Sequence, residues 1–270
     1  MKKKYVYTFI FSFLLLASIT IVIVLLNNNK SENYSGEPTV FVHGYKGTLK
    51  SFGNMLDRFE TKYNWGTKAL IYYVTSDGEV NEYNFNKGRD KPAFIQVLFE
   101  DNRAGFSNSA EWLATALKKM KKDYSIDSVD LVGHSMGGIV SLKYAKQYQQ
   151  EEYPSVNKIV AIGSPFDGIY KDEYFQINRD AAATDLKPDS AELQLLQVGT
   201  FPTNVEVLNI GSTGDPVAVP ESVEAIRTVI SSDQLVEIII EDDNLGHSAL
   251  HENEQVDKLI YSFLWQDEFQ

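Results

Sequence analysis

Gly133-His134-Ser135-Met136-Gly137 sits between two different hydrophobic rhythms, and that junction restricts the fold more than any other part of the chain. Before it, Ser128-Val129-Asp130-Leu131-Val132 is a short apolar run suited to a buried strand. After it, Ile139-Val140-Ser141-Leu142-Lys143-Tyr144-Ala145 carries a helical pattern. A Gly-x-Ser-x-Gly turn between a strand and a helix is sharp, and it lifts the serine above the edge of the sheet. Glycines flank the serine because such a turn leaves no room for a Cβ.

The rest of the chain repeats the alternation of strand and helix. Strand patterns fall at 39–42, 69–74, 80–85, 94–99, 158–162, 204–210 and 235–240, with helical patterns at 51–62, 109–124 and 251–265. Ser76-Asp77-Gly78-Glu79 predicts a hairpin turn between the second and third strands. Alternation of this kind argues for an α/β fold with a mostly parallel central sheet and helices on both faces. Between the strand ending near Ser164 and the one starting near Asn204 lies an excursion of about residues 166–203. Loops of that length tend to be functional.

Composition narrows the partners. The chain has 270 residues and a net charge of −12, with no cysteine. The acidic balance argues against nucleic acid as a partner, because phosphate binding needs clustered Lys and Arg. Disulfides, thiolate metal sites and a cysteine nucleophile are excluded with the cysteines. Lys2, Lys3 and Lys4 precede an apolar run from about Val6 to Leu26. Its length is close to the ~20 residues that span a bilayer, and the lysines would stay on the cytoplasmic side. Residues 1–30 are therefore expected to be a membrane anchor, or a signal segment if cleaved. Residues 31–37 read as a linker and 38–270 as one catalytic domain, outside the cytoplasm in either case.

An exposed serine becomes a nucleophile only with a base, an acid that orients the base, and oxyanion donors. Ser135 is the candidate nucleophile. Of four histidines, only His247 and His251 follow it. His247 stands just beyond the last strand and is the expected base. His251, where the terminal helix is expected to begin, suits a capping or surface position. Asp215, in Gly211-Ser212-Thr213-Gly214-Asp215-Pro216-Val217 after a strand, is the expected acid, with Asp189 and Glu221 as rivals. The backbone N–H groups of Tyr45 and Met136 are the expected oxyanion donors, and His43 a structural residue of the Tyr45 loop. No metal or organic cofactor is required, and Glu241-Asp242-Asp243 reads as a solvated strand end.

Val40-Phe41-Val42-His43-Gly44 together with Val132-Gly133-His134-Ser135-Met136-Gly137-Gly138 resembles the α/β-hydrolase superfamily, near the bacterial lipases. Phe99-Glu100-Asp101-Asn102, Ala161-Ile162-Gly163-Ser164-Pro165-Phe166 and Gly246-His247-Ser248-Ala249-Leu250-His251-Glu252-Asn253 resemble a family of cell-surface hydrolases of Gram-positive bacteria. The likeness runs from about Pro38 to the C-terminus. It implies the α/β-hydrolase fold, a Ser135–Asp215–His247 triad, extracellular display and an excursion that caps the site. Asp215-Pro216 departs from the Asp-Gly expected of the family. The expected activity is cleavage of small-molecule or lipid carboxylic esters through an acyl-enzyme. An amidase, thioesterase or acyltransferase using the same residues, or a non-catalytic binding module, would share these features. Oligomeric state and acyl chain length are not written in the sequence.

Overall fold

The computed structural model describes residues 34, 36–85 and 91–266. The expected N-terminal anchor lies outside them. Among the described residues no helix is long and apolar enough to cross a membrane.

Among the described residues, eight strands form one sheet: β1 (Thr39–Val42), β2 (Thr67–Val74), β3 (Val80–Asn84), β4 (Ala93–Phe99), β5 (Ser128–His134), β6 (Ser155–Ile162), β7 (Glu206–Ser212) and β8 (Leu235–Ile240). Their spatial order is β3-β2-β4-β1-β5-β6-β7-β8. Only the β2–β3 hairpin pairs antiparallel, turning through Gly78 at φ 86°. All other neighbours are parallel.

Strand alternation gives each face its own core, since successive side chains point to opposite sides. Val40, Val42, Leu131, Ile159 and Ala161 face one core, with Trp112, Leu113, Leu117 and Met120 of helix α2 (Phe106–Tyr124) and Ile139, Val140 and Leu142 of α3 (Met136–Gln147). Phe41, Val132, Val160, Ile162, Leu208 and Ile210 face the other. There they meet Phe52, Met55 and Leu56 of helix α1 (Lys50–Asp57), which continues as a π-helical turn over Arg58–Lys62. Helices thus cover both faces, as expected.

The excursion carries three short helices: α4 (Asp172–Ile177), α5 (Ala181–Asp185) and α6 (Ala191–Gln197). It has no separate core. Ala182, Leu186, Leu193, Leu196 and Phe201 join the first core cluster. Leu193 and Leu196 are therefore packing residues, whereas Leu195 is exposed. A further helix, α7 (Pro220–Glu224), follows β7.

Two expectations need correction. No helix runs from His251 to Trp265. Residues His247–Glu252 form a 3-10 turn, and Asn253 starts a separate helix, α8 (Glu254–Trp265), by accepting the N–H groups of Gln255 and Val256. His251 is neither a cap nor a surface residue. It is buried, with its ring against Phe52 and His134.

The sheet also fixes where a ligand can meet the chain. The connections run to one side of β1 as far as β4, then cross to β5 on its other side. The crevice beyond the C-terminal ends of β1 and β5 is the topological switch point, where open α/β sheets bind their ligands. β1 leads into His43–Gly47, and β5 leads into Ser135.

Candidate active site

Ser135 occupies the turn between β5 and α3 at φ 56°, ψ −127°, a strained conformation for a residue with a side chain. The tightness of the elbow accounts for its glycines. A Cβ on Gly133 would lie 2.4 Å from the backbone of Gly137 and Gly138, and one on Gly137 would lie 2.1 Å from Val42 O. The Ser135 N–H donates to Ile162 O at 2.8 Å, which ties the strained residue to β6.

Ser135, His247 and Asp215 come together from three separate loops. Ser135 Oγ donates to His247 Nε2 at 2.9 Å, and His247 Nδ1–H donates to Asp215 Oδ2 at 2.7 Å. The Asp215 side chain is fully buried, while that of His247 keeps 16% of its surface exposed. Asp215 Oδ1 accepts the N–H groups of Val217 at 2.8 Å and Ala218 at 2.9 Å. Those two donors fix the carboxylate and leave Oδ2 free for the histidine. Pro216 is compatible with this turn because its missing N–H is not one of the donors used. The rivals of Asp215 play no part in this relay: Asp189 is an exposed excursion residue at φ 59°, and Glu221 lies in the first turn of α7.

Two further histidines form a cluster with His247. The His134 ring centroid lies 4.7 Å from that of His247 and 4.5 Å from that of His251. Burial holds the His134 imidazole well below the usual histidine range, reinforced by His247 and His251; burial lowers His251 as well. Both rings are thus neutral at pH 7. An imidazolium forming on His247 therefore meets no competing positive charge from them. Sequence reasoning missed this role for His134, although the residue stands inside the motif itself.

His43 is structural, as expected. Its Nε2 accepts Phe99 N–H at 3.1 Å, so Nδ1 carries the proton and donates to Gly44 O at 2.8 Å. This loop presses against the elbow: a Cβ on Gly44 would lie 2.8 Å from Ser135 Cβ and 3.4 Å from Met136 N. Neither Tyr45 N–H nor Met136 N–H donates to a protein acceptor among the described residues. Met136 opens α3, where the first N–H groups of a helix have no internal partner. Met136 directly follows Ser135, and Tyr45 directly follows Gly44, the glycine that packs against Ser135.

Beside Asp215, the excursion and the loop after β7 enclose a largely apolar cleft of about 280 Å³. Ile169, Tyr174 and Ile177 line one side, Pro216 and Val217 the other, and Lys171 and Glu173 are also part of the lining. Among the described residues no group of three or more His, Cys, Asp or Glu side chains is placed to hold a metal ion.

Residues 27–267 match the sequence profile of the family described as "Alpha/beta hydrolase of unknown function (DUF915)". Among curated proteins, the chain is 26% identical over 136 residues to the 1-acylglycerol-3-phosphate O-acyltransferase of Saccharomyces cerevisiae. That stretch is 45% of this chain and 34% of the yeast protein, so the chain spans about a third of that relative's length. A Listeria innocua protein of solved structure superposes with a TM-score of 0.70 at 24% identity, covering 87% of this chain and 96% of that one. A cell surface hydrolase from Lactobacillus plantarum gives 0.65 at 21% identity, covering 86% and 90%. An esterase from Exiguobacterium antarcticum gives 0.52 at 15% identity, covering 85% and 92%. At these identities the structural likenesses carry the fold alone.

Proposed function

The chain belongs to this family of α/β hydrolases and has the α/β-hydrolase fold, and from that premise we propose that it is a serine hydrolase cleaving carboxylic esters through an acyl-enzyme. The observation that carries the reading is the continuous relay from Ser135 Oγ through His247 to the buried Asp215, at 2.9 and 2.7 Å. As Ser135 attacks the ester carbonyl, His247 Nε2 takes its proton. Asp215 holds the imidazole in the tautomer that presents Nε2 to the serine and balances the charge it gains. The N–H groups of Tyr45 and Met136 receive the oxyanion. His247 then returns the proton to the leaving alcohol, and a water repeats the sequence to release the acid.

We infer that the apolar cleft next to Asp215, lined by Pro216 and Val217 with Ile169, Tyr174 and Ile177, takes an acyl or alkyl chain. We also infer an extracytoplasmic location with an N-terminal membrane anchor. Lys2 to Lys4 ahead of the apolar run support it, as does the cell-surface description of the Lactobacillus neighbour.

One observation favours a second reading. The yeast relative is an acyltransferase, and an acyl-enzyme attacked by an alcohol in place of water is an acyl transfer. The test is hydrolysis of p-nitrophenyl esters of increasing chain length by the full chain, beside Ser135→Ala. Turnover that disappears in the variant supports the serine-hydrolase reading. A faster p-nitrophenol release on adding 1-acylglycerol-3-phosphate, with acylated acceptor as product, moves the reading to acyl transfer. A folded protein with no turnover on any ester overturns ester cleavage and directs the search to amides and thioesters.

A further inference from the structure

The segment Phe99-Glu100-Asp101-Asn102 takes no part in the Ser135–His247–Asp215 relay, yet it braces the loop that carries Tyr45. The Asn102 carbonyl accepts Lys46 N–H at 2.8 Å, and its side-chain amide donates to Gly47 O at 2.9 Å. Lys46 between them stands at φ 58°, in the left-handed region that costs a residue with a Cβ. The next residue along, Arg103, reaches the excursion, where its guanidinium donates to Asp180 Oδ2 at 3.1 Å. The Tyr45 hydroxyl donates to the same oxygen at 2.6 Å. Lys46 Nζ adds a bond to Asn178 Oδ1.

Asp180 is itself held in place. Its Oδ1 accepts Ala183 N–H at 3.1 Å as the cap of α5, and the Arg103 carbonyl accepts Ala182 N–H at 3.0 Å. Burial would raise the Asp180 carboxyl, but hydrogen bonds from Tyr45, the Ala183 N–H and Arg103 hold it below its ordinary value. Burial and Asp180 push the Tyr45 phenol up to about 12. At neutral pH one partner is thus always a donor and the other always an acceptor. Asp180 is thus tied to the side chain of Tyr45, and Tyr45 directly follows Gly44, which packs against Ser135.

We propose that Asp180 is a positioning residue for the chemical step: through Tyr45 and Arg103 it holds the Tyr45 N–H where the oxyanion forms, so that the excursion sets the rate of acylation. The proposal rests on the serine-hydrolase reading. An oxyanion donor works only within about 2.7–3.1 Å of the developing charge, and losing one outright costs roughly 100- to 1000-fold in kcat. A donor released from its brace but not removed should lose part of that.

Tyr45→Phe deletes the hydroxyl and leaves the backbone N–H. Asp180→Asn removes the charge and keeps a side-chain oxygen to cap α5. In the full chain, each variant should lower kcat by about 10-fold on a p-nitrophenyl ester and leave KM within about twofold. Each should weaken a trifluoromethyl ketone, which mimics the tetrahedral oxyanion, by the same factor as kcat. The double variant should be no slower than the slower single, because both act on one brace. Backbone amide exchange across residues 43–47 should be faster in both. An unchanged kcat, a change in KM alone, or losses that multiply in the double variant would overturn the proposal. If the wild type turns over no ester, the functional reading fails by itself. Amide exchange then decides the brace, and unchanged exchange in both variants overturns it.

Discussion

The backbone carbonyl of His247 accepts a hydrogen bond from His134 Nε2 at 3.1 Å. The residue before Ser135 therefore holds the loop that carries His247. Only the tautomer with a proton on Nε2 can make this bond, and burial keeps the ring neutral. His134→Phe keeps an aromatic ring against His247 and His251 but leaves that carbonyl without its donor. Unfolding free energy should fall by about 1–2 kcal/mol. As the base gains freedom, kcat should drop about 10-fold with KM little changed. Urea denaturation and ester kinetics check the two halves separately.

Asp215→Asn should cost far more, about 10,000-fold in kcat, with the fold intact. The N–H groups of Val217 and Ala218 would draw the amide oxygen to the Oδ1 position. The amide NH2 would then face His247 Nδ1 and drive the ring proton onto Nε2, where it can no longer accept from Ser135. A circular dichroism spectrum equal to that of the wild type, beside the lost turnover, is the expected pair of results.

Arg58 forms two bonds to Asp257, at 2.6 and 2.9 Å, and others to Glu252 and to His251 O, each at 3.0 Å. It thereby joins the π-helical turn after α1 to the 3-10 turn bearing His247 and to α8. Burial raises the Asp257 carboxyl despite the guanidinium beside it, so the charged pair is costly as well as attractive. Arg58→Met strands a buried carboxylate and should destabilise by about 3–5 kcal/mol. Adding Asp257→Leu should restore most of the loss. Denaturant unfolding of the single and double variants measures both effects.

On the central strand β5, near the end where the parallel strands begin, burial, with the Glu37 charge nearby, raises the Asp130 carboxyl from 3.8 to about 7. Between these values the folded chain holds a proton that the unfolded chain has released. This group therefore lowers stability as pH rises through that window. The buried histidines His43, His134 and His251 are lowered and act in the other direction, withdrawing stability as pH falls below 6.5. Asp130→Asn keeps an acceptor for Lys158 N–H. It should raise unfolding free energy at pH 8 by roughly 2–4 kcal/mol, and the gain should vanish near pH 4. Unfolding measured at several pH values on both proteins isolates the difference.

The parts of the site that are local in sequence were legible there. The elbow announces itself by a strand rhythm, a glycine pair and a helix rhythm, and Asp215 and His247 follow the ends of β7 and β8. What escaped is what distant residues do to one another. Helix α2 begins at Phe106, three residues before its apolar pattern becomes regular, because Asp185 of the excursion accepts the Phe106 N–H at 2.8 Å. No local signal carries that cap. Tyr45 and Asp180 stand 135 positions apart, and nothing periodic links them. The 3-10 turn at His247–Glu252 was hidden for another reason. Its apolar residues extend the pattern of α8 backward, and the pattern alone gives no sign that Asn253 caps a new helix between them.

The sheet also sets which way the molecule faces. Pro38, whose carbonyl accepts Asp130 N–H at 3.0 Å, leads into β1 at the edge where the parallel strands begin, and Ser135 stands where they end. A seven-residue strand such as β5, at about 3.3 Å per residue, sets these edges roughly 20 Å apart. The described chain therefore enters the domain at the pole opposite Ser135, so anything joined ahead of Pro38, be it a bilayer anchor, a bead or a fusion partner, connects on the side away from that serine.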